Sequence, residues 1–266
     1  MSGKNRAFEL DALRGFALFL MMCHHTIFDF RYLLGMNLFA FQDSNWFNYL
    51  LQPIFLCIFI GVSGVCCQFS RNNLKRSLKL LLLALGFSAV MCLFSWYTHE
   101  GLYVFFNILH LLFVGTFLYG LFALWEDRHD RKLPDNATDQ EISKPRREIG
   151  LIILTGALLF SDRLIDVYAY NIHSYWLLPL GFLPSNFISM GDYLPILPWL
   201  GFFFMGVVIG RMAYKGKKTL FPDAPHTVLR AARPFEWLGR NSLLIYLIHQ
   251  PIILAILFGL RYLGVW

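Results

Sequence analysis

Polar positions in this chain fall in short groups between long apolar blocks, and the blocks follow no alternating pattern. Block length predicts seven helical spans, at roughly 12–33, 47–69, 76–95, 103–125, 149–169, 195–213 and 241–263. Each is close to the ~20 residues a helix needs to cross the hydrocarbon of a bilayer. The stretches between them alternate in charge. Lys4 and Arg6 precede the first span. Arg71, Lys75, Arg76 and Lys79 follow the second, Arg128 to Arg147 carry six basic residues after the fourth, and Arg211 to Arg240 carry seven after the sixth. Segments 34–46, 96–102 and 170–194 have neither Lys nor Arg. By the positive-inside rule the N-terminus is expected in the cytoplasm. The expected fold is an all-α integral membrane protein, a bundle of about seven transmembrane helices forming one polytopic domain over residues 1–266. The expected location is a bacterial-type cytoplasmic (inner) membrane, multi-pass. The 126–148 loop reads as a charged linker, and 211–240 as a basic loop. WLLPLGFLPSNFISMGDYLPILP, from Trp176, is apolar but broken by prolines. It is expected to be an interfacial or re-entrant piece, since non-helical backbone at membrane depth needs protein or a wet cavity around it.

Composition agrees with this picture. The 266 residues are 57% hydrophobic and 15% charged, with 27 phenylalanines, where a soluble domain carries about 25% charged residues. The net charge of +6 is a topology signal spread over alternate loops, so nucleic acid is not an expected partner; the lipid bilayer is. The five cysteines all lie in apolar blocks and make no C-x-x-C pattern, so neither a disulfide framework nor a metal site is expected.

Candidate chemistry lies inside the spans. In MMCHHTIFDFR the first helix carries His24, His25 and Asp29, although a carboxylate near mid-membrane costs about 2.5–3.5 kcal/mol on insertion scales. Asp11, Arg14, Leu18, Met22, His25 and Asp29 are spaced three or four apart and share one helix face. His24 points about 100° away from it. Asn107 and His110 sit in the fourth span, Asp162, Arg163 and Asp166 in the fifth, Asp192 at the start of the sixth, and His249 and Gln250 halfway along the seventh. Arg14, Arg211 and Arg240 mark the basic ends. Taken singly, a histidine in an apolar helix is most often a packing group, Asp162–Arg163–Asp166 reads equally well as an ion pair, and the arginines as topology anchors. Several ionisable groups at one depth in different helices point to a buried wet site.

ELDALRGFALFLMMCHHTIFDF resembles the first-helix signature of the heparan-α-glucosaminide N-acetyltransferase catalytic-domain family: an acidic residue, L-D-x-x-R-G, an apolar run and H-x-x-x-D. FFNILHLL resembles its F-G-I-L-H segment with Asn107 in place of glycine, DYLPILPWLGFFFMGVVIGR its D-Y-x-P-x-x-P-W segment, and LGRNSLLIYLIHQPI its final helix. The resemblance implies a membrane acyltransferase that takes an acyl group from acetyl-CoA on the cytosolic side and passes it to a glycan or amino-sugar acceptor beyond the membrane. FAFQDSNW lacks the lysine-histidine pair associated with the lysosomal enzyme, so catalytic residues are sought in this chain's own pattern.

That pattern suggests a division of labour. Arg14, Arg211 and Arg240 would hold CoA phosphates, which the arginine fork suits. His25 would act as general base with Asp29 fixing its tautomer. His110 or Asn107 would polarise the thioester carbonyl. Asp192, His249, Asp162 and Asp166 would line the acceptor side. Direct transfer and an acyl-histidine intermediate are both open. Three rivals are a transporter or flippase using His and Asp as a proton relay, a haem or quinone redox protein in which His25, His110 and His249 could meet at similar depth, and a non-catalytic scaffold.

Overall fold

The structure, a computed structural model, describes residues 7–98, 103–130, 139–168, 175–183 and 192–264. Every regular element among them is helical. Helix α1 spans Phe8–Phe28 and passes at Asp29 into a π turn, Asp29–Leu33. A short 3-10 turn, Ala40–Asp43, and a second π turn, Phe47–Leu51, lead into α2, Gln52–Val65. There follow α3 (Asn73–Thr98), α4 (Ile108–Asp130), α5 (Asp139–Tyr168), α6 (Trp199–Ala213), α7 (His226–Arg240) and α8 (Ser242–Tyr262).

Among the described residues four helices are long and apolar enough to cross a membrane: Phe47–Gln68, Asn73–Tyr97, Ile108–Asp130 and Ser242–Tyr262. They match the second, third, fourth and seventh expected spans. Helix α6 is apolar but has 15 residues. Helices α1 and α5 also form where expected, but each opens with charged residues: Glu9, Asp11 and Arg14 in α1, and the run from Asp139 to Glu148 in α5. Two loop expectations need correction. The 126–148 linker is mostly helix, because α4 runs on to Asp130 and α5 starts at Asp139. The basic loop 211–240 contains α7, whose Leu229, Ala232, Phe235 and Gly239 recur at helical spacing. Of the proline-rich stretch, Tyr175–Leu180 forms a 3-10 turn, and 184–191 lies outside the described residues.

The chain divides into two compact units, Met1–Val62 with Gly216–Trp266, and Ser63–Lys215. In the first, α1 and α7 meet backbone to backbone. A Cβ on Gly15 would lie 1.8 Å from the Phe235 carbonyl oxygen, and one on Gly239 1.8 Å from that of Asp11. Only glycine permits so close an approach. The Phe235 ring sits edge-on to Phe16 and Phe19, at 5.4 and 6.1 Å. The buried Glu9 carboxylate accepts from the Leu220 N–H at 2.8 Å and the Thr219 hydroxyl at 2.7 Å, tying the approach to α7 onto α1. The loop after α1 is pinned by Asp43, which accepts from the Tyr32 hydroxyl and the Arg31 guanidinium. These two bonds hold the Asp43 carboxyl below the usual carboxylate range.

In the second unit α3 packs on α4, and α5 on α6. Arg211 of α6 ties three helices together. Its NH1 and NH2 donate to the two oxygens of Glu126 at 2.8 and 2.9 Å, and its Nε donates to Glu148 at 2.8 Å. Arg147 pairs with Asp130 at 2.7 Å beside this network.

Candidate functional site

The polar stripe of α1 meets α8 at two adjacent rungs. At the first, the His25 and His249 rings lie 5.3 Å apart. At the second, the Gln250 side-chain amide donates to both oxygens of the buried Asp29, at 3.1 and 2.9 Å. His249 and Gln250 are neighbours in sequence while His25 and Asp29 are one turn apart, so a single turn of α8 serves both rungs. The switch from α to π geometry falls at Asp29 itself; such single-turn insertions are frequent at functional sites.

Hydrogen bonding sets the chemistry of these groups. His249 Nδ1 lies 2.7 Å from the Tyr246 carbonyl oxygen. A carbonyl only accepts, so Nδ1 carries the proton, and the neutral ring presents its lone pair at Nε2. Asp29, expected to orient His25, makes its hydrogen bonds with Gln250 instead, leaving His25 and Asp29 with an electrostatic attraction across one helical turn. Gln250 spends its N–H on Asp29, while its Oε1 is buried without a hydrogen-bond partner, an acceptor suited to a hydroxyl or amine. Gln250 was visible in the sequence beside His249, but nothing in spacing alone links it to a residue 221 positions away. His24 faces elsewhere, stacking on Phe47 at 5.6 Å and lying 6.1 Å from Phe55.

The second unit holds Asn107 and His110 together at the start of α4. Asn107 is fully buried and caps the helix, its Oδ1 accepting the Leu109 N–H at 3.1 Å. His110 Nδ1 lies 3.0 Å from that same oxygen and 3.4 Å from the Asn107 backbone N–H. The first contact needs a proton on Nδ1 and the second needs Nδ1 bare, so each neutral tautomer satisfies one of them. Only the second form has an Nε2–H to donate. The Asn107 Nδ2 is buried and makes no hydrogen bond.

The three arginines differ. Arg14 and Arg240 come together around the buried Asp11, each 3.7 Å from its carboxylate. Arg240 also donates to Glu236 at 2.6 Å, and Arg14 approaches the Gly239 carbonyl at 3.4 Å. Arg211 belongs to the other unit and spends its fork on Glu126 and Glu148. Asp192 is half-buried before α6. Its neighbour Tyr193 donates to the Leu178 carbonyl at 2.6 Å, and burial pushes the Tyr193 phenol up to about 12. Asp162 and Asp166 lie on α5, and their side chains fall outside the described residues. Among the described residues no cluster of three or more His, Cys, Asp or Glu is placed to hold a metal ion.

The sequence matches the family described as heparan-alpha-glucosaminide N-acetyltransferase, catalytic, over residues 6–129 and 144–251. The chain belongs to this family. The matched residues take in both α1–α8 rungs, the Asn107–His110 cap and Arg211. No curated protein and no solved structure matches the chain. Family membership together with the four apolar helices makes this an integral membrane protein of acetyltransferase type.

Proposed function

We propose that the chain moves an acetyl group from acetyl-CoA to an amine or hydroxyl of a sugar-type acceptor, with the N-terminus cytoplasmic, CoA on that side and the acceptor on the other. The observation that carries this reading is the pair of rungs joining α1 to α8, where buried His249 and Asp29 meet half-buried His25 and Gln250. A carbonyl-anchored imidazole is a proton acceptor; the Gln250 Oε1 and the Asp29 carboxylate are hydrogen-bond acceptors for the incoming nucleophile. The acceptor nitrogen or oxygen attacks the thioester carbon, its proton passes to a histidine of the His25–His249 pair, the C–S bond breaks, and the CoA sulfur leaves as the thiol with that proton. Asn107 and His110, in the second unit, keep donor chemistry of their own: an unspent amide and, in one tautomer, an Nε2–H. Arg14 and Arg240, around Asp11, are the proposed holders of CoA phosphates; Arg211, whose fork is spent on Glu126 and Glu148, is read as the anchor of its own ion network. Asp192, Asp162 and Asp166 are proposed on the acceptor side.

The test is transfer from labelled acetyl-CoA in purified membranes to a panel of amino sugars and sugars. Wild type and His24→Ala are expected to transfer, and His25→Ala and His249→Ala to lose most of it. Activity that survives both of the latter changes, or dies only with His24→Ala, removes the α1–α8 rungs from the mechanism. Substrate uptake into liposomes without CoA would favour a transporter.

A further inference from the structure

Helix α7 turns one face to α1 and leaves a second exposed. Phe235 and Gly239 make the contact with α1. Arg230, Arg233 and Trp237 are spaced three and four apart, so they form one stripe about 140–160° around the helix from Phe235. All three are exposed, Trp237 to 62%. Among the described residues neither Arg230 nor Arg233 makes an ion pair, in contrast to Arg14, Arg147, Arg211 and Arg240, which all have carboxylate partners. The turn before α7 adds exposed Lys217 and Lys218 and, beside them, exposed Leu220 and Phe221. Unpaired guanidinium groups flanking an exposed indole, next to exposed apolar side chains, match the boundary of an anionic bilayer. Arginine pairs bidentately with phosphate. Tryptophan settles at headgroup depth with its ring in the apolar layer and its N–H in the wet one. A helix held against α1 by glycine contacts is a rigid mount for such a stripe.

We propose that the Arg230–Arg233–Trp237 face of α7 is a binding site for the phosphate headgroups of anionic phospholipid. The occupant is lipid rather than the phosphates of CoA because the stripe extends about 10 Å along the helix and is open to the outside, with exposed apolar Leu220 and Phe221 in the turn that precedes the helix. Each arginine near an anionic surface is expected to strengthen retention about fivefold.

The test uses the purified full chain, stripped of lipid and titrated with phosphatidylglycerol or phosphatidylcholine in detergent, with bound lipid counted by native mass spectrometry. Wild type should retain phosphatidylglycerol at least tenfold more strongly than phosphatidylcholine. R230Q/R233Q should lose about 25-fold of that retention, and W237A a smaller share. The control R71Q/K75Q removes the same charge from exposed positions on another part of the chain and should change nothing. The site is rejected if both lipids are retained equally, if R230Q/R233Q behaves as wild type, or if the control falls as far. Loss of thermal stabilisation by acetyl-CoA in R230Q/R233Q, with phosphatidylglycerol retention intact, would assign the stripe to CoA and reject the lipid site. None of these readouts depends on acyl transfer, so the site stands or falls apart from the proposed activity.

Discussion

Two polar clusters in this protein solve the same problem in opposite ways. Around Arg211 every strong donor faces a carboxylate: Glu126 takes two bonds of the fork and Glu148 another. Around Asp29 the polar groups are held in place but not saturated. Gln250 orders the carboxylate and keeps its own Oε1 without a partner, and the Tyr246 carbonyl fixes His249 so that its lone pair lies at Nε2. A network in which each cation meets carboxylates holds helices together; an ordered cluster of acceptors can receive a ligand and its proton. Both contain ionisable groups in apolar helices, so the presence of such groups does not by itself separate structure from function.

The strongest test of that contrast is Arg211→Ala. It leaves part-buried Glu148 without its cation and Glu126 with only Arg147, 3.9 Å away, and is expected to cost about 3 kcal/mol, read as a large fall in Tm or loss of folded protein in detergent. If stability survives and acetyl-CoA binding is lost, Arg211 is the phosphate holder expected from its position, and the contrast fails. His249→Asn is the complementary change. The new amide N–H can replace the bond to the Tyr246 carbonyl but supplies no base. The turnover number should drop about 10²–10⁴-fold while Tm stays within about 3 °C. A turnover number within threefold of wild type would leave His25 as the proton acceptor. Gln250→Ala should cost about 1–3 kcal/mol by stripping the partner from buried Asp29, with Gln250→Glu worse because it sets two carboxylates together. Thermal unfolding ranks the four variants directly.

The smallest effect is at the exposed Asp43. Its carboxyl is held down first by the Tyr32 hydroxyl and then by Arg31. Stabilisation of the loop after α1 is therefore fully present above the unfolded value of about 4 and is lost as pH falls through the lower folded value. Protection of residues 34–46, taken as exchange relative to the intrinsic rate at each pH, should fall at acid pH in wild type, and Asp43→Asn should show the lowered protection already at neutral pH. A flat pH response in wild type would detach this pin from the loop.

Much of this was legible in the chain. The four apolar helices follow from block length, and the α1 stripe from three- and four-residue spacing, so His25 and Asp29 were singled out before any partner was known. Asn107 and His110 were singled out together, but inside a span expected from 103 rather than as the cap that opens α4 at Ile108. Helix α7 was partly legible: Leu229, Ala232, Phe235 and Gly239 recur at helical spacing, but the arginines between them read as a topology signal and masked it. Gln250 was not legible as the partner of Asp29, nor Glu126 and Glu148 as the partners of Arg211.

By itself the sequence determined what is written locally: helices, their apolar lengths, the face each polar residue occupies, and the family. Hydropathy and helical spacing act over a few turns, and need no knowledge of what lies across the helix. Tertiary structure alone decided the pairings. Which donor reaches Asp29, which carboxylates absorb the Arg211 fork, and which arginines of α7 remain unpaired all depend on how distant helix faces come together. That in turn rests on contacts as particular as Gly15 and Gly239, where the absence of two side chains lets α7 lie against α1.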